Sequence, residues 1–230
     1  MCGRFTLSAP AEQLAQQFDL PAEPITVPRY NIAPTQPVAV VRANPETKAR
    51  EWALTLWGLI PSWAKDPSIG NSLINARAET LATNRTFRDP FQRRRCLIVA
   101  DGFYEWRRIG SERYPMFFRL RSRRPFVFAG VWDRWKPREG EPLVSCAIVT
   151  CPPNGLVAPI HDRMPVIVAP EARAYWLAAD AEPADLTALL RPYPESEMEA
   201  YPVSRLVNTP KNDTPECVQP ADPPVDPPSD

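Results

Sequence analysis

Residues 96–106 read CLIVADGFYEW and form the longest β-rich run in the chain. Its β-branched and aromatic side chains favour strands. Six shorter runs of similar composition occur at residues 38–41, 52–57, 116–120, 126–132, 144–150 and 166–168. The seven runs together predict a substantial sheet system.

Five short helical patches accompany these runs, at residues 8–18, 76–82, 87–94, 171–177 and 184–190. Ser8 is a candidate cap for the first patch, which Pro21 and Pro24 would end. The patches are too short and too irregularly placed for alternating βαβ units. The pattern therefore predicts the α+β class, with a mainly antiparallel sheet curled toward a barrel and short peripheral helices.

The C-terminal end differs in composition from the rest of the chain. Of 230 residues, 30 are proline, and six of these prolines lie between Thr214 and Asp230. With few apolar side chains to bury, this end is typical of an extended, disordered segment. We therefore predict one domain over residues 1–218 and a proline-rich acidic tail over residues 219–230.

Charge is unevenly distributed although the formal net charge is zero. Residues 211–230 contain one lysine and five acidic residues, a net charge of −4, so residues 1–210 carry +4. Arginines are dense at residues 93–95, 107–108 and 119–124. This balance permits nucleic-acid binding without requiring it, and solvated strand edges are the simpler explanation of any one run.

Several classes of protein are disfavoured. No stretch is apolar and long enough to span a bilayer, and no signal segment is recognisable. Five cysteines without framework spacing suit a reducing compartment, so a soluble cytoplasmic protein is expected. With one histidine and no Cys-x-x-Cys pair, no metal is expected, and no nucleotide-binding glycine loop indicates a cofactor.

Cys2 is the most informative single residue. Removal of Met1 would leave an amine and a thiol two carbons apart, a 1,2-aminothiol that condenses with an aldehyde to an imine and closes through sulfur to a thiazolidine. An α-amine with a pKa of about 7.7–8.0 is partly neutral near pH 7.5. From position alone, however, an accident of a short N-terminus is the simpler explanation of Cys2.

Three polar residues are candidates for acid–base or orienting roles. His161, the only histidine, lies in a turn between two prolines, where it could be a general acid or base or a structural residue. Glu105 ends an apolar, aromatic run, where burial would raise its pKa, unless it faces outward. Asn75 could cap a helix, and Arg77 beside it could bind phosphate.

Aromatic residues are interleaved with arginines. Residues 57–63, WGLIPSW, form a proline-stiffened loop with two indoles, and Trp106 adds a third. Such surfaces suit stacked single-stranded bases better than an intact duplex. Each tryptophan taken alone could instead belong to the core.

Six motifs in the same order resemble the SOS response-associated peptidase (SRAP) family. They are residues 2–5 (CGRF), 30–35 (YNIAPT), 57–63 (WGLIPSW), 75–80 (NARAET), 102–106 (GFYEW) and 160–165 (IHDRMP). The resemblance runs from Cys2 to about residue 218. It implies a sensor of abasic sites in single-stranded DNA that removes its own Met1, forms a covalent thiazolidine and thereby protects the lesion during the DNA damage response.

The resemblance also implies roles for individual residues. Cys2 is the nucleophile through its amine and sulfur, and the active-site polar groups are Asn75, Glu105 and His161. The implied DNA contacts are Arg4, Pro34, Trp63, Arg77, Arg85, Trp106, Thr150 and Arg163. Ala64 stands where several relatives have a second aromatic residue, which would weaken the wedge against neighbouring bases. The resemblance also implies a monomer that acts at the nucleoid. Abasic-site lyase activity is a further expectation.

Two other functions use the same residues differently. An N-terminal-nucleophile amidohydrolase would attack an amide with the Cys2 thiol and use its own amine as base. A non-catalytic single-strand binding module would leave Cys2 incidental. Abasic DNA discriminates among the three, because only the sensor gives a denaturation-resistant adduct that needs Cys2.

Overall fold

Two β-sheets organise the computed structural model, which describes residues 2–20, 22–44, 46–47 and 49–222. The fold has the predicted α+β class, with mainly antiparallel pairing. The strands are β1 (Phe5–Leu7), β2 (Arg29–Ile32), β3 (Pro37–Ala43), β4 (Arg50–Trp57), β5 (Asn75–Arg77), β6 (Arg95–Ala100), β7 (Gly102–Ile109), β8 (Glu112–Leu120), β9 (Phe126–Trp135), β10 (Leu143–Cys151), β11 (Met164–Pro165) and β12 (Met198–Pro202).

The larger sheet closes on itself. Its strands follow the order β11-β10-β4-β3-β6-β9, and β9 also pairs with β10, so that β10, β4, β3, β6 and β9 form a ring. The β10–β4 pair is parallel and the other pairs of the ring are antiparallel. The fully buried Phe128, Ile98 and Ile148 come from three of these strands and contribute to the core. The predicted curled, barrel-like sheet is therefore present.

The smaller sheet is antiparallel throughout and has the order β12-β8-β7-β1-β2. Phe5 of β1 faces Phe103 of β7 in register, and both side chains are fully buried. The Phe5 ring packs edge-on against Phe128 of the larger sheet, with ring centroids 5.8 Å apart. The N-terminus is thus anchored between the two sheets, beside β7.

The run at residues 96–106 is two strands, not one. It breaks at Asp101, so that β6 lies in the larger sheet and β7 in the smaller one. Asp101 accepts hydrogen bonds from the backbone N–H groups of Ser8 (2.6 Å) and Ala9 (3.0 Å) and from the Thr6 hydroxyl. These bonds replace strand pairing at the corner and carry the chain from one sheet to the other.

The α-helices are short and peripheral, as predicted: α1 (Ala11–Phe18), α2 (Arg88–Arg93), α3 (Arg173–Leu177) and α4 (Pro183–Ala188). The patches near residues 87–94, 171–177 and 184–190 are confirmed. The first helix begins at Ala11, so the prediction of Ser8 as its cap is wrong: Ser8 binds Asp101 instead. Pro21 lies outside the described residues.

The predicted helix at residues 76–82 is also wrong. Residues 75–77 form β5, because their backbone pairs in parallel with residues 148–150 of β10. A 3₁₀ turn, Ala78–Thr80, follows. Asn75 is therefore a strand residue and caps no helix, which frees its side chain for other contacts.

The boundary of the predicted tail falls near the end of the described chain. Pro220 forms an isolated bridge with Val203, and the Ala221 N–H donates to the Pro202 carbonyl over 2.9 Å. Residues 223–230, most of the predicted tail, lie outside the described residues.

Candidate active site

Cys2 is fully buried at the start of the smaller sheet. The Tyr104 N–H donates to the Arg4 carbonyl over 3.0 Å, which extends the β1–β7 pairing toward the N-terminus. Burial raises the pKa of the Cys2 thiol, and the negative charge of Glu105 raises it further. The thiol is therefore protonated near neutral pH in this environment.

Asn75 holds the backbone of Cys2. Its Nδ2 donates to the Cys2 carbonyl oxygen over 2.9 Å, and the pairing of β5 with β10 fixes its position. The Asn75 Oδ1 is buried and has no hydrogen-bond partner among the described residues. A buried acceptor without a partner costs free energy, so this oxygen is suited to a donor from a reacting group or ligand.

Glu105 is buried on β7, with 3% of its surface exposed, which excludes the outward-facing interpretation. Burial raises the pKa of Glu105 to about 7, against the opposing positive charge of the amino terminus. A carboxyl group with this pKa is present in both its acid and base forms near neutral pH. Such a group can donate and accept protons in successive steps.

His161 is partly buried, and the backbone N–H of Arg163 donates to its Nδ1 over 3.0 Å. Because Nδ1 accepts this bond, the neutral ring carries its proton on Nε2. Asp162 Oδ1 is also 2.9 Å from Nδ1, a contact that is attractive only when Nδ1 is protonated. Burial lowers the pKa of His161, although Asp162 opposes this shift. The neutral form is favoured.

Sequence reasoning missed one polar residue beside this site. Glu79 forms a bidentate ion pair with Arg163, Nη1 to Oε1 at 2.5 Å and Nη2 to Oε2 at 2.9 Å. The motif at residues 75–80 contains Glu79, but a carboxylate in a short polar turn gives no signal of a partner 84 residues away.

The loop at residues 57–63 presents one indole and buries the other. Trp57 is fully buried, whereas Trp63 is 52% exposed, and the Arg85 guanidinium carbon lies 5.8 Å from the Trp63 ring centroid. Asp133 accepts the Ser62 N–H over 2.9 Å, and the Trp135 Nε1 donates to the Ala64 carbonyl over 2.7 Å. The loop is held firmly while its Trp63 side chain faces solvent.

Two other implied DNA contacts form internal bonds. The Arg4 Nη1 donates to Asn31 Oδ1 and to the Val207 carbonyl, each over 2.8 Å, and its guanidinium carbon lies 5.7 Å from the Trp106 ring centroid. Trp106 is half-buried, and its Nε1 donates to Asn208 Oδ1 over 2.8 Å. Arg4 and Trp106 therefore also anchor residues 207–208 to the smaller sheet.

The remaining implied contacts differ in accessibility. Arg77 is exposed, and Pro34 lies half-buried in the turn after β2. Thr150 is fully buried, and its carbonyl accepts the Arg163 Nη2 over 2.6 Å. Thr150 can thus act on DNA only through the residues that it holds.

Among the described residues, no group of three or more His, Cys, Asp or Glu side chains could hold a metal ion. In the same part of the chain, no helix is long and apolar enough to cross a membrane.

The two-sheet fold and the groups around Cys2 agree with a family assignment. The chain belongs to the SOS response associated peptidase (SRAP) family, whose model matches residues 1–210. Abasic site processing protein YoqW of Bacillus subtilis is 45% identical over 224 residues, covering 95% of this chain and 99% of that protein.

More distant relatives extend the comparison. Abasic site processing protein YedK of Escherichia coli is 32% identical over 232 residues, covering 96% of this chain and 100% of that protein. An X-ray structure of a protein from Bacteroides thetaiotaomicron has a TM-score of 0.85 at 26% identity, covering 96% of this chain and 100% of its own. The family resemblance of the six sequence motifs is therefore confirmed.

Proposed function

We propose that this protein captures abasic sites in single-stranded DNA by forming a thiazolidine between Cys2 and the open-chain deoxyribose aldehyde, after loss of Met1. The observation that carries the proposal is the arrangement at Cys2: its carbonyl is held by Asn75, and its thiol lies within electrostatic range of a carboxyl group, Glu105, with a pKa of about 7. The names of YoqW and YedK, both abasic site processing proteins, support the same substrate.

The reaction needs proton transfers at each stage. The abasic sugar must open from its hemiacetal, which requires a proton at the ring oxygen and a base at the hydroxyl. The Glu105 carboxylate can take the hydroxyl proton, and the Nε2–H of neutral His161 can donate a hydrogen bond to the ring oxygen while solvent protonates that oxygen. The Cys2 amine then adds to C1′ and gives a carbinolamine. Protonation of its hydroxyl by Glu105 expels water and leaves an iminium.

Ring closure completes the balance of atoms. The Cys2 sulfur adds to the iminium carbon, while the thiol proton passes through Glu105 and the nitrogen is left as a neutral secondary amine. The overall change is the loss of one water molecule. Since burial keeps the thiol protonated, a base is required at this step, and Glu105, whose charge acts on the thiol, is the candidate.

Among the expected DNA contacts, the exposed residues are proposed to meet the strand first. The Trp63 ring, with Arg85 beside it, offers a stacking surface for an unpaired base, and exposed Arg77 offers a charge for phosphate. Arg4, Pro34, Trp106, Thr150 and Arg163 are retained as candidates that shape this surface. Four further expectations stay predictions: that the protein protects the lesion, that it acts as a monomer at DNA in the cytoplasm, that it removes its own Met1, and that it has lyase activity.

The test is intact-mass spectrometry of the Met1-free protein with a single-stranded oligonucleotide that carries one abasic site. The expected product is protein plus DNA minus one water, stable to denaturation. Cys2→Ala should abolish it, whereas Cys217→Ala, at another fully buried cysteine, should not. A borohydride-reduced abasic site, which has no aldehyde, should give no adduct.

Two results would contradict the proposal. Turnover of amide substrates without any DNA-sized product would indicate an N-terminal-nucleophile amidohydrolase. Equal, reversible binding of abasic and intact strands by the parent protein and by Cys2→Ala would indicate a binding module.

A further inference from the structure

Arg163 connects the elements that hold Asn75 and His161. Its guanidinium bonds to both carboxylate oxygens of Glu79 and to the Thr150 carbonyl. Glu79 lies in the 3₁₀ turn directly after β5, the strand that carries Asn75, and Thr150 lies on β10, which pairs with β5. One side chain thus ties the turn at residues 160–165 to the strands beside Cys2.

The backbone of the same residue sets the state of the imidazole. The Arg163 N–H donates to His161 Nδ1, which favours the neutral ring with its proton on Nε2. The Asp162 carboxylate, 2.9 Å from the same nitrogen, favours the opposite arrangement, a proton on Nδ1. The position of the Arg163 backbone decides which of the two neighbours prevails.

We infer that Glu79 is a positioning residue for the reaction at Cys2: by clamping Arg163, it holds His161 with its proton on Nε2. This inference rests on the proposed function, because the catalytic value of that proton depends on the opening of an abasic sugar. Without the clamp, the Arg163 N–H is free to move, and Asp162 draws a proton onto Nδ1. His161 then presents Nε2 as an acceptor instead of a donor.

The Arg163 side chain is held within the protein. Both terminal nitrogens bond within the protein, and the side chain is only 12% exposed. Arg77 and Arg85 are exposed by comparison. The Arg163 hydrogen bond also lowers the pKa of Glu79, so that the carboxylate stays ionised throughout the neutral range and the clamp stays closed.

The test uses the full-length, Met1-free protein, with Glu79→Gln as the main variant. Glu112→Gln is the matched control, because Glu112 is also half-exposed and pairs with an arginine, Arg205, at 2.9 Å. Glu79→Asp, which keeps the charge on a shorter side chain, provides a second variant of the clamp. Thermal melts establish that each variant is folded.

The first measurement is the ¹⁵N spectrum of the imidazole, which is unambiguous because the chain has one histidine. The parent and Glu112→Gln should show a protonated Nε2 and an unprotonated Nδ1 at pH 7.5. In Glu79→Gln, the Nδ1 signal should shift toward the protonated range. An unchanged spectrum in folded Glu79→Gln would overturn the inference.

The second measurement is the single-turnover rate of adduct formation at saturating abasic oligonucleotide. Misplacing a catalytic group costs roughly tenfold to a hundredfold, so Glu79→Gln should be slower than the parent by about tenfold or more. Its affinity for intact single strands should be equal or higher, since a negative charge is removed. Glu79→Asp should be intermediate.

A double variant tests whether the two residues act together. If Glu79 acts only through Arg163, Glu79→Gln/Arg163→Gln should be no slower than Arg163→Gln alone. Independent, multiplicative losses would overturn the inference, as would a parental rate in Glu79→Gln. Failure of the proposed function looks different, because the parent itself would then form no adduct.

Discussion

The Asn75 side-chain nitrogen and the Cys2 carbonyl oxygen are 2.9 Å apart, although 73 residues separate them in the sequence. The bond fixes the backbone of the residue whose amine is proposed to react. It also leaves the Asn75 Oδ1 as a buried acceptor beside that residue.

Asn75→Ala is therefore expected to slow adduct formation by roughly tenfold to a hundredfold, because the Cys2 backbone loses its only side-chain anchor among the described contacts. Single-turnover assays at saturating abasic DNA measure this effect. Asn84→Ala, at an exposed asparagine, is the control and should keep the parental rate. If Asn75→Ala keeps the parental rate, Asn75 has no role in the reaction at Cys2.

Glu105 should make stability fall as pH rises. Its pKa in the folded protein, about 7, is above the ordinary value of 4.5, so the folded state holds the proton more tightly than the unfolded state. The stability that Glu105 contributes is therefore fully present below its unfolded-state pKa and is lost as pH rises through its folded-state pKa. Glu105→Gln removes this pH dependence. Between pH 4.5 and pH 8, the free energy of unfolding of Glu105→Gln should therefore rise relative to that of the parent by up to about 3 kcal/mol.

Urea unfolding at a series of pH values measures this difference. Glu112→Gln, at a half-exposed glutamate, should follow the parent throughout. If the parent and Glu105→Gln show parallel pH profiles, the carboxyl group does not have the raised pKa. Adduct formation should also be slowed in Glu105→Gln, since an amide cannot shuttle protons.

Cys2→Ala with a free terminal amine should separate the two reactive groups. The amine can still form an imine with the aldehyde, but no sulfur closes the ring, and the imine should decay by β-elimination with strand nicking. Borohydride should trap a covalent Schiff base in this variant, as detected on a denaturing gel. Absence of any trapped species would argue against the amine as the nucleophile.

Trp63→Ala should weaken binding of intact single strands with little effect on folding, because the side chain is 52% exposed. Stacking of one base on an aromatic ring is worth about 1–3 kcal/mol, or roughly 5-fold to 150-fold in affinity. Fluorescence anisotropy with a labelled oligonucleotide measures the change. Tyr175→Ala, at an exposed aromatic residue of α3, should leave affinity unchanged.

Asp101→Ala should destabilise the fold by about 2–3 kcal/mol, because two backbone N–H groups lose a charged acceptor. Chemical denaturation provides the measurement. Asp66→Ala is the comparison. The Asp66 carboxylate also accepts hydrogen bonds from a backbone N–H and a hydroxyl, both of Ser68, but this turn is exposed, so its removal should cost far less. Equal losses would mean that the Asp101 corner contributes no special stability.

Long strands were predictable because their β-branched and aromatic composition persists over many residues. Strands β1, β2 and β12 were not, since they are short and exist through pairing with β7 and β8. The break at Asp101 was also missed. Its cause is a set of hydrogen bonds to residues 6–9, which local composition does not encode.

The prediction of the site residues depended more on the resemblance to a family than on residue spacing or composition. Cys2, Asn75, Glu105 and His161 lie on separate elements, and no spacing rule brings them together. The apolar run around Glu105 indicated that burial would raise its pKa, but the sequence left open which face of the strand the side chain occupies. The Glu79–Arg163 pair could not be anticipated, because nothing in the sequence around either residue indicates the other as its partner.

Complete burial of the Cys2 side chain bears on how the protein persists between encounters with damage. Peroxide attacks the exposed thiolate, and a protonated thiol shielded from solvent is a poor target for oxidation to sulfenic acid. Slow oxidation of the Cys2 thiol by peroxide is therefore the expected consequence of this burial.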